Sequence, residues 1–381
     1  MAFTLSDRAA RYAADNHERL VRFIAELTAI PAPSNHEEKR ADYIKNWLVG
    51  RGAEGVYIDG ALNVVLPLGD VEQGCDVLMA HTDTVFPDLE PIPVRIADGR
   101  ISAPGVGDDT ANTAELLLWT EYILQNKLKP RQGGVLIVLN SGEEGLGDLK
   151  GSKKIMQRYG AYVRRLISFD GGMDGVVNRA VGSVRWKITL RTEGGHSYGR
   201  FGSPNAIARM SELVCALYDQ QVPHNNCRTT YNVGTIQGGT SVNTIAQECT
   251  LLYEYRSDQK VSLDQMDASF RRIVEGFRAK GYEIELEQVG LRPCMGDVDP
   301  AAMAALCGDL SDMLERETGK RPSMESASTD CNIPFSMGVP AACFGGYSGR
   351  GAHTREEYIE IDSLRVGMRC VGAVVLNSFA E

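Results

Sequence analysis

The stretch VLMAHTDTVFP, residues 77–87, runs from apolar side chains straight into an imidazole and a carboxylate. Val77–Ala80 reads as a strand buried on both faces, the kind found in parallel sheets. Side chains two positions apart on an extended chain share a side, so His81 and Asp83 can act on one object at the strand's end. Similar apolar runs recur at 63–68 (NVVLPL), 134–140 (GVLIVLN) and 165–169 (RLISF), separated by helical patterns at 111–126 and 149–160. That alternation predicts an α/β fold with a mostly parallel sheet between helices.

Upstream, Leu20, Phe23, Ile24 and Leu27 have helical spacing within 7–29, and Ser34 with Glu37 has the spacing of a capping box opening a helix at His36. Near Val181 the texture changes to longer alternating strands, 183–194, 249–258 and 282–290, with amphipathic helices at 204–221 and 263–281. These predict a small α+β unit. Since short strands and a final helix at 362–380 follow it, the unit is inserted: one domain from 1–181 with 297–381, another from 182–296.

Composition narrows the function. The chain has 381 residues, a formal charge of -10 and scattered rather than clustered basic residues, which excludes a nucleic-acid footprint. No apolar run is long enough to span a bilayer and the first residues have no signal-like apolar core, so a cytoplasmic protein is expected. Nine cysteines form no C-x-x-C pair and are expected to be reduced and mostly buried.

In open α/β sheets, ligands bind beyond the carboxyl ends of the strands. Those ends carry His81 and Asp83, then Glu143 and Glu144, then Asp170; two Gly-rich loops add Asp108 and Asp109 (GVGDDTAN, 105–112) and His353 (GRGAHTREEY, 349–358). Carboxylates crowded in one crevice repel unless positive charge compensates them, and the only nearby basic residue in 77–170 is Lys150, so a metal is implied. Imidazole and carboxylate donors without thiolates suit Zn2+, with Co2+ or Mn2+ as substitutes, and the number of donors implies two ions. A phosphate-loop reading of the 140–150 stretch fails, because no Gly-Lys-Ser or Gly-Lys-Thr follows. Asp109 is read as serving its loop's backbone, His17, His36 and His224 as surface residues, and the charges at 355–357 as a solvated turn.

HTD, GVGDD, NSGEEG, SFDGG and GAHT, in this order, resemble the di-zinc M20 family of peptidases and amidohydrolases over nearly the whole chain. The resemblance implies a zinc-peptidase-like catalytic domain with an inserted lid or dimerisation domain. It implies His81 and Asp170 on one metal, Glu144 and His353 on the other, Asp108 as the bridge, Asp83 behind His81, and Glu143 as general base toward a metal-bridging water. EGGHSYGRFGSPNAI (193–207) is similar to the family's lid motif, making His196 an oxyanion-stabilising residue, and 238–258 supplies Asn243 and Arg256 as substrate contacts, Arg256 through a two-pronged hold on a carboxylate. Thr110, Asn112 and Ser197 depart from the family pattern, which has lysine or glycine and a small apolar residue at such places. The implied activity is amide hydrolysis of small peptides or N-acyl amino acids by a homodimer paired through the lid. The alternatives are a metabolite-specific deacylase (deacetylase or desuccinylase) and an inactive metal-binding module.

Overall fold

The computed structural model of the chain describes residues 3–225 and 227–380. They form two compact units, Met1–Arg179 with Gly296–Glu381, and Ala180–Met295.

The first unit is built on an eight-stranded sheet in the order Tyr57–Ile58, Val64–Gly69, Gly134–Asn140, Cys75–His81, Val163–Phe169, Ala341–Phe344, Gly175–Ala180, Ser323–Ala327. Its four central strands are parallel, and antiparallel pairs flank them. The sheet is therefore mixed, where the run of apolar segments implied a mostly parallel one. Cys75–His81 and Gly134–Asn140 are buried at every position, as strands covered on both faces must be, and Val64–Gly69 ends in partly exposed residues; its direction depends on how the connection returns, which an apolar run does not encode.

Alternation assigns the faces. Leu78, Ala80, Ile137, Leu139, Ile167 and Phe169 pack with the Asn112–Asn126 and Ser363–Asn377 helices into one core. Each such side chain contributes about 1.5–3 kcal/mol by leaving water. Those two helices approach closely at Gly372, where a Cβ would stand 2.1 Å from Trp119, while the Trp119 indole N–H donates to the Met368 carbonyl at 2.8 Å. Because Ala80 faces this core, His81 points to the opposite face.

Two local expectations at the N-terminus change. The 7–29 pattern is two helices, Asp7–Asp15 and His17–Thr28, broken at Asn16, and His17 is buried at 6% exposure rather than on the surface. The capping box does not form. The next helix is Glu38–Val49 without a side-chain cap; Ser34 Oγ instead donates to Asp83 Oδ2 at 2.7 Å, and Glu37 binds the Asn35 N–H and Lys150. The serine hydroxyl is spent as a donor to a distant carboxylate instead of accepting the Glu37 N–H as a cap would require.

The second unit has a four-stranded antiparallel sheet in the order Thr229–Gly238, Glu248–Ser257, Gly182–Arg191, Glu283–Arg292. The Ala206–Tyr218 and Lys260–Arg278 helices pack on it through Trp186, Ile188, Met210, Leu213, Tyr253 and Phe270. Burial alternates strictly along Glu248–Ser257, as a sheet covered on one face requires. The edge strand Thr229–Gly238 lacks such alternation and is mostly exposed, which is why its pattern escaped the sequence reading. No cysteine is disulfide-bonded; Cys215 is exposed, Cys227 half-buried and the rest buried. Among the described residues no helix is long and apolar enough to cross a membrane.

Candidate metal centre

Parallel pairing brings the carboxyl ends of the central strands to one edge of the sheet. His81 closes its strand in register with Asn140, Glu143 and Glu144 follow Asn140 in a tight turn, and Asp170 directly follows the Val163–Phe169 strand. Asp108 lies in the irregular Val106–Ala111 turn at the head of the Asn112–Asn126 helix, where the Asp108–Asp109 peptide is cis, and His353 sits in a loop at φ 66°.

Asp108 stands between two imidazoles. Its Oδ1 is 3.0 Å from His81 Nε2 and its Oδ2 is 3.0 Å from His353 Nε2. The same His353 nitrogen is 3.0 Å from Glu144 Oε1. Ligand atoms of His81, Asp108 and Glu144 lie within 4.8 Å of one another, as do those of His81, Asp109 and Asp170. The structure thus brings His81, Asp108, Glu144 and His353 together directly, and Asp170 within 4.8 Å of a ligand atom of His81.

The charges of this cluster are unbalanced without a cation. Burial opposes protonation of His81, yet Asp109, Asp108 and Asp83 outweigh it and hold its pKa well above the ordinary value. Hydrogen bonds to Asp108 and Glu144 push His353 up to about 10. Burial, with Asp108, Glu144 and Asp330 adding repulsion, pushes Asp170 up to about 7. A divalent ion among these donors would supply the positive charge that lets the carboxylates stay ionised and the imidazoles neutral.

Lys150 does not serve this site, since its ammonium pairs with Glu37 at 2.9 Å. The basic residue beside the centre is Arg40, 1% exposed, whose guanidinium donates to the Thr82 carbonyl at 2.8 Å and to the Ile30 carbonyl at 2.6 Å. Burial lowers its pKa to about 10 while Asp83 partly restores it. Nothing in the local sequence signals this, because the helix carrying Arg40 is far from every motif.

Asp83 does more than face His81. Its Oδ1 is 3.5 Å from His81 Nδ1, and the shorter contact to that nitrogen, 3.1 Å, is Asp83's own carbonyl. The carboxylate accepts the backbone N–H groups of Glu143 at 2.9 Å and Glu144 at 3.0 Å together with the Ser34 hydroxyl. It ties the Glu143–Glu144 turn to the His81 strand.

Glu357 corrects the solvated-turn reading. It is 2% exposed, and its carboxylate accepts the backbone N–H groups of Gly105, Gly107 and Asp108 at 2.7–2.9 Å, shaping the loop that presents Asp108. Asp109 does hold backbone, accepting the His81 N–H at 3.0 Å and the Asn112 amide at 2.6 Å, but its carboxylate also lies within 4.8 Å of ligand atoms of Asp170 and His81. The departures Thr110 and Asn112 are spent locally: Thr110 donates to Gly105, while Asn112 bridges Asp109, Gly171 and Gly346. Asp330, which the sequence reading passed over, is fully buried and accepts the Asn140 amide at 2.6 Å.

The remaining residues lie in the second unit. His196 pairs with Thr244 in a two-residue ladder, and the Ser197 N–H donates to the Asn243 carbonyl at 3.0 Å, so His196 and Asn243 are neighbours. The Gly199 N–H donates to His196 Nδ1 at 3.3 Å, which leaves Nε2 to carry the proton. Arg256 is not free: its fork grips Glu254 two residues away, at 3.0 and 3.1 Å.

Residues 77–377 match the model of peptidase family M20/M25/M40. The succinyl-diaminopimelate desuccinylase of Corynebacterium glutamicum is 23% identical, over 89% of this chain and 91% of its own. The acetylornithine deacetylase of Aliivibrio fischeri is 28% identical, over 79% of this chain and 80% of its own. A tripeptidase structure from Staphylococcus aureus superposes with a TM-score of 0.74 at 22% identity, covering 94% of this chain and 98% of that one. With the family model spanning residues 77–377, which include every donor of the cluster, this chain belongs to peptidase family M20/M25/M40 and is a hydrolase.

Proposed function

We propose that the chain is a two-metal amidohydrolase acting on small peptides or N-acyl amino acids. The observation that carries this reading is Asp108, whose two oxygens each face a different imidazole at 3.0 Å, the disposition of a carboxylate shared by two ions. His81 and Asp170 would hold one ion and Glu144 and His353 the other; the donor set, all imidazole and carboxylate, fits zinc. When bound, such ions polarise an amide carbonyl and ease deprotonation of water.

The chain's own groups do the rest. Glu143, buried at 6% exposure on the turn held by Asp83, takes the proton of the attacking water and returns it to the departing amine. His196, with its proton on Nε2, donates to the carbonyl oxygen as charge builds there, Asn243 assists, and Arg256 holds a substrate carboxylate once that group displaces Glu254. The long exposed edge strand Thr229–Gly238 supports pairing of two copies through the inserted unit. A second reading, deacylation of one particular N-acylated metabolite, is supported by the desuccinylase and deacetylase relatives. The presence of Glu143 beside the gathered donors speaks against an inactive module.

The test is metal analysis paired with a substrate screen. Protein reconstituted with zinc should hold two ions per chain, cleave dipeptides or N-acyl amino acids, and lose that activity on chelation. A chain that binds no zinc sinks the reading.

A further inference from the structure

Arg40, on the Glu38–Val49 helix, is a buried cation that the chemistry above does not use. Among the described residues it is the only buried Lys or Arg of the first unit, and its guanidinium enters no ion pair. Its donors go to neutral oxygens instead. Nη1 donates to the Thr82 carbonyl at 2.8 Å and the Thr110 hydroxyl at 3.4 Å, while Nε and Nη2 donate to the Ile30 carbonyl at 3.1 and 2.6 Å. Taking a guanidinium out of water with no carboxylate paired to it costs free energy that neutral acceptors only partly return. An exposed arginine without a partner carries no such cost; a buried one calls for a use.

The use is visible in what the acceptors carry. Thr82 stands between His81 and Asp83, and its N–H and hydroxyl both donate to the Asn140 carbonyl, at 2.7 and 2.9 Å, so Arg40 takes the one polar group of Thr82 left over. The Thr82–Asp83 peptide leads to the Asp83 carbonyl, which accepts from His81 Nδ1 at 3.1 Å while His81 Nε2 faces Asp108. Thr110 follows Asp108 and Asp109 and donates to Gly105 at 2.6 Å. One planar fork therefore spans the strand end that carries His81 and the loop that carries Asp108. The other donors have supports of their own: Glu357 holds the Asp108 loop by three N–H groups, and the Asp83 carboxylate, itself tied to Ser34, holds the Glu143–Glu144 turn.

We infer that Arg40 is a positioning residue for the ion assigned to His81 and Asp170, fixing the Thr82–Asp83 peptide and through it the His81 ring. The ion assigned to Glu144 and His353 does not depend on it. The inference rests on the two-metal reading above. The role is one of geometry rather than charge, because a cation beside a divalent cation repels it.

Zinc titration of the metal-free protein against a competing chelator tests this on Arg40→Lys, Arg40→Met and, as a control, Arg164→Gln. Arg164 donates to the Gly74 carbonyl at 2.8 Å and pairs with Asp76 at 3.1 Å, so its loss costs stability at the far end of the same strand. Both Arg40 variants should bind one zinc about tenfold to a hundredfold more weakly, the range for groups that orient a metal-bound imidazole, with the other zinc within about twofold. The loss should persist in a His353→Ala background, which retains the His81–Asp170 ion, and Arg164→Gln should bind both ions as the unaltered chain does. Lysine does not rescue, because one ammonium cannot meet acceptors set for a planar fork. If Arg40→Met tightens zinc binding while Arg40→Lys leaves it unchanged, Arg40 acts by charge and the inference is overturned. It is also overturned if both ions weaken equally, or if Arg164→Gln gives the same loss. Should Arg40→Met fail to fold, Arg40→Lys decides alone. An unaltered chain that binds no zinc refutes the two-metal reading itself, and this inference with it.

Discussion

The two units of this chain treat charge in opposite ways. In the first, His81, Asp83, Asp109, Glu143, Glu144, Asp330, Glu357 and Arg40 are all buried; in the second, Arg292 is the buried charged residue among those described, and the ion pairs, such as Arg191 with Glu248 and Glu285, are exposed or half-exposed. Burying a charge costs several kcal/mol unless partners compensate it, so a fold concentrates such residues only where their chemistry is used. The second unit has an ordinary apolar core, and the part proposed for it falls to groups on its surface. The lesson is that the first unit should be sensitive to loss of charge, and the second to loss of particular exposed groups but not of charge in general.

The largest effect is expected from Glu143→Gln. It should keep both metals and lower kcat by about a hundredfold to ten thousandfold, the range for a positioned proton carrier. Loss of metal in this variant would show that Glu143 is a ligand and that the roles within the pair are reversed. The matching change in the second unit, His196→Ala, should keep metals and fold and lower kcat by about a hundredfold or more, as removal of an oxyanion donor does. Full activity would confine catalysis to the first unit and erase that half of the comparison. Smaller still, Glu357→Gln should weaken metal binding by about tenfold to a hundredfold, because it removes one of two acceptors shaping the Asp108 loop without touching a donor to the ion. Metal titration reads this; unchanged affinity would mean that the loop holds its shape without Glu357.

The two units also differ in how legible they were. Periodicity alone exposed the second unit's alternating strands and helices, because a sheet covered on one face writes its burial into the sequence; it failed at Thr229–Gly238, an edge strand that is mostly exposed and only partly buried at Tyr231 and Val233. In the first unit, continuous apolar runs marked the central strands, and their polar ends marked His81, Glu143, Glu144 and Asp170. The antiparallel flanks were not readable, since strand direction depends on how the connections return. Ser34 and Glu37 show the limit most sharply: their spacing promised a cap, but Asp83 and Lys150 took them.

By itself, then, the sequence determined which residue types stand at the ends of which strands, since burial along a strand is a property of consecutive residues. It also determined the need for cations, since carboxylates outnumber nearby bases. Only the tertiary structure decided who supports whom: Arg40 reaching Thr82, Glu357 holding the Asp108 loop across about 250 positions, Asp83 gripping the Glu143–Glu144 turn, and Arg256 already occupied by Glu254. The first three are hydrogen bonds between side chains and distant backbone, and the last is a pair of side chains on one strand. They carry no periodicity and no spacing, because their geometry exists only after the chain has packed.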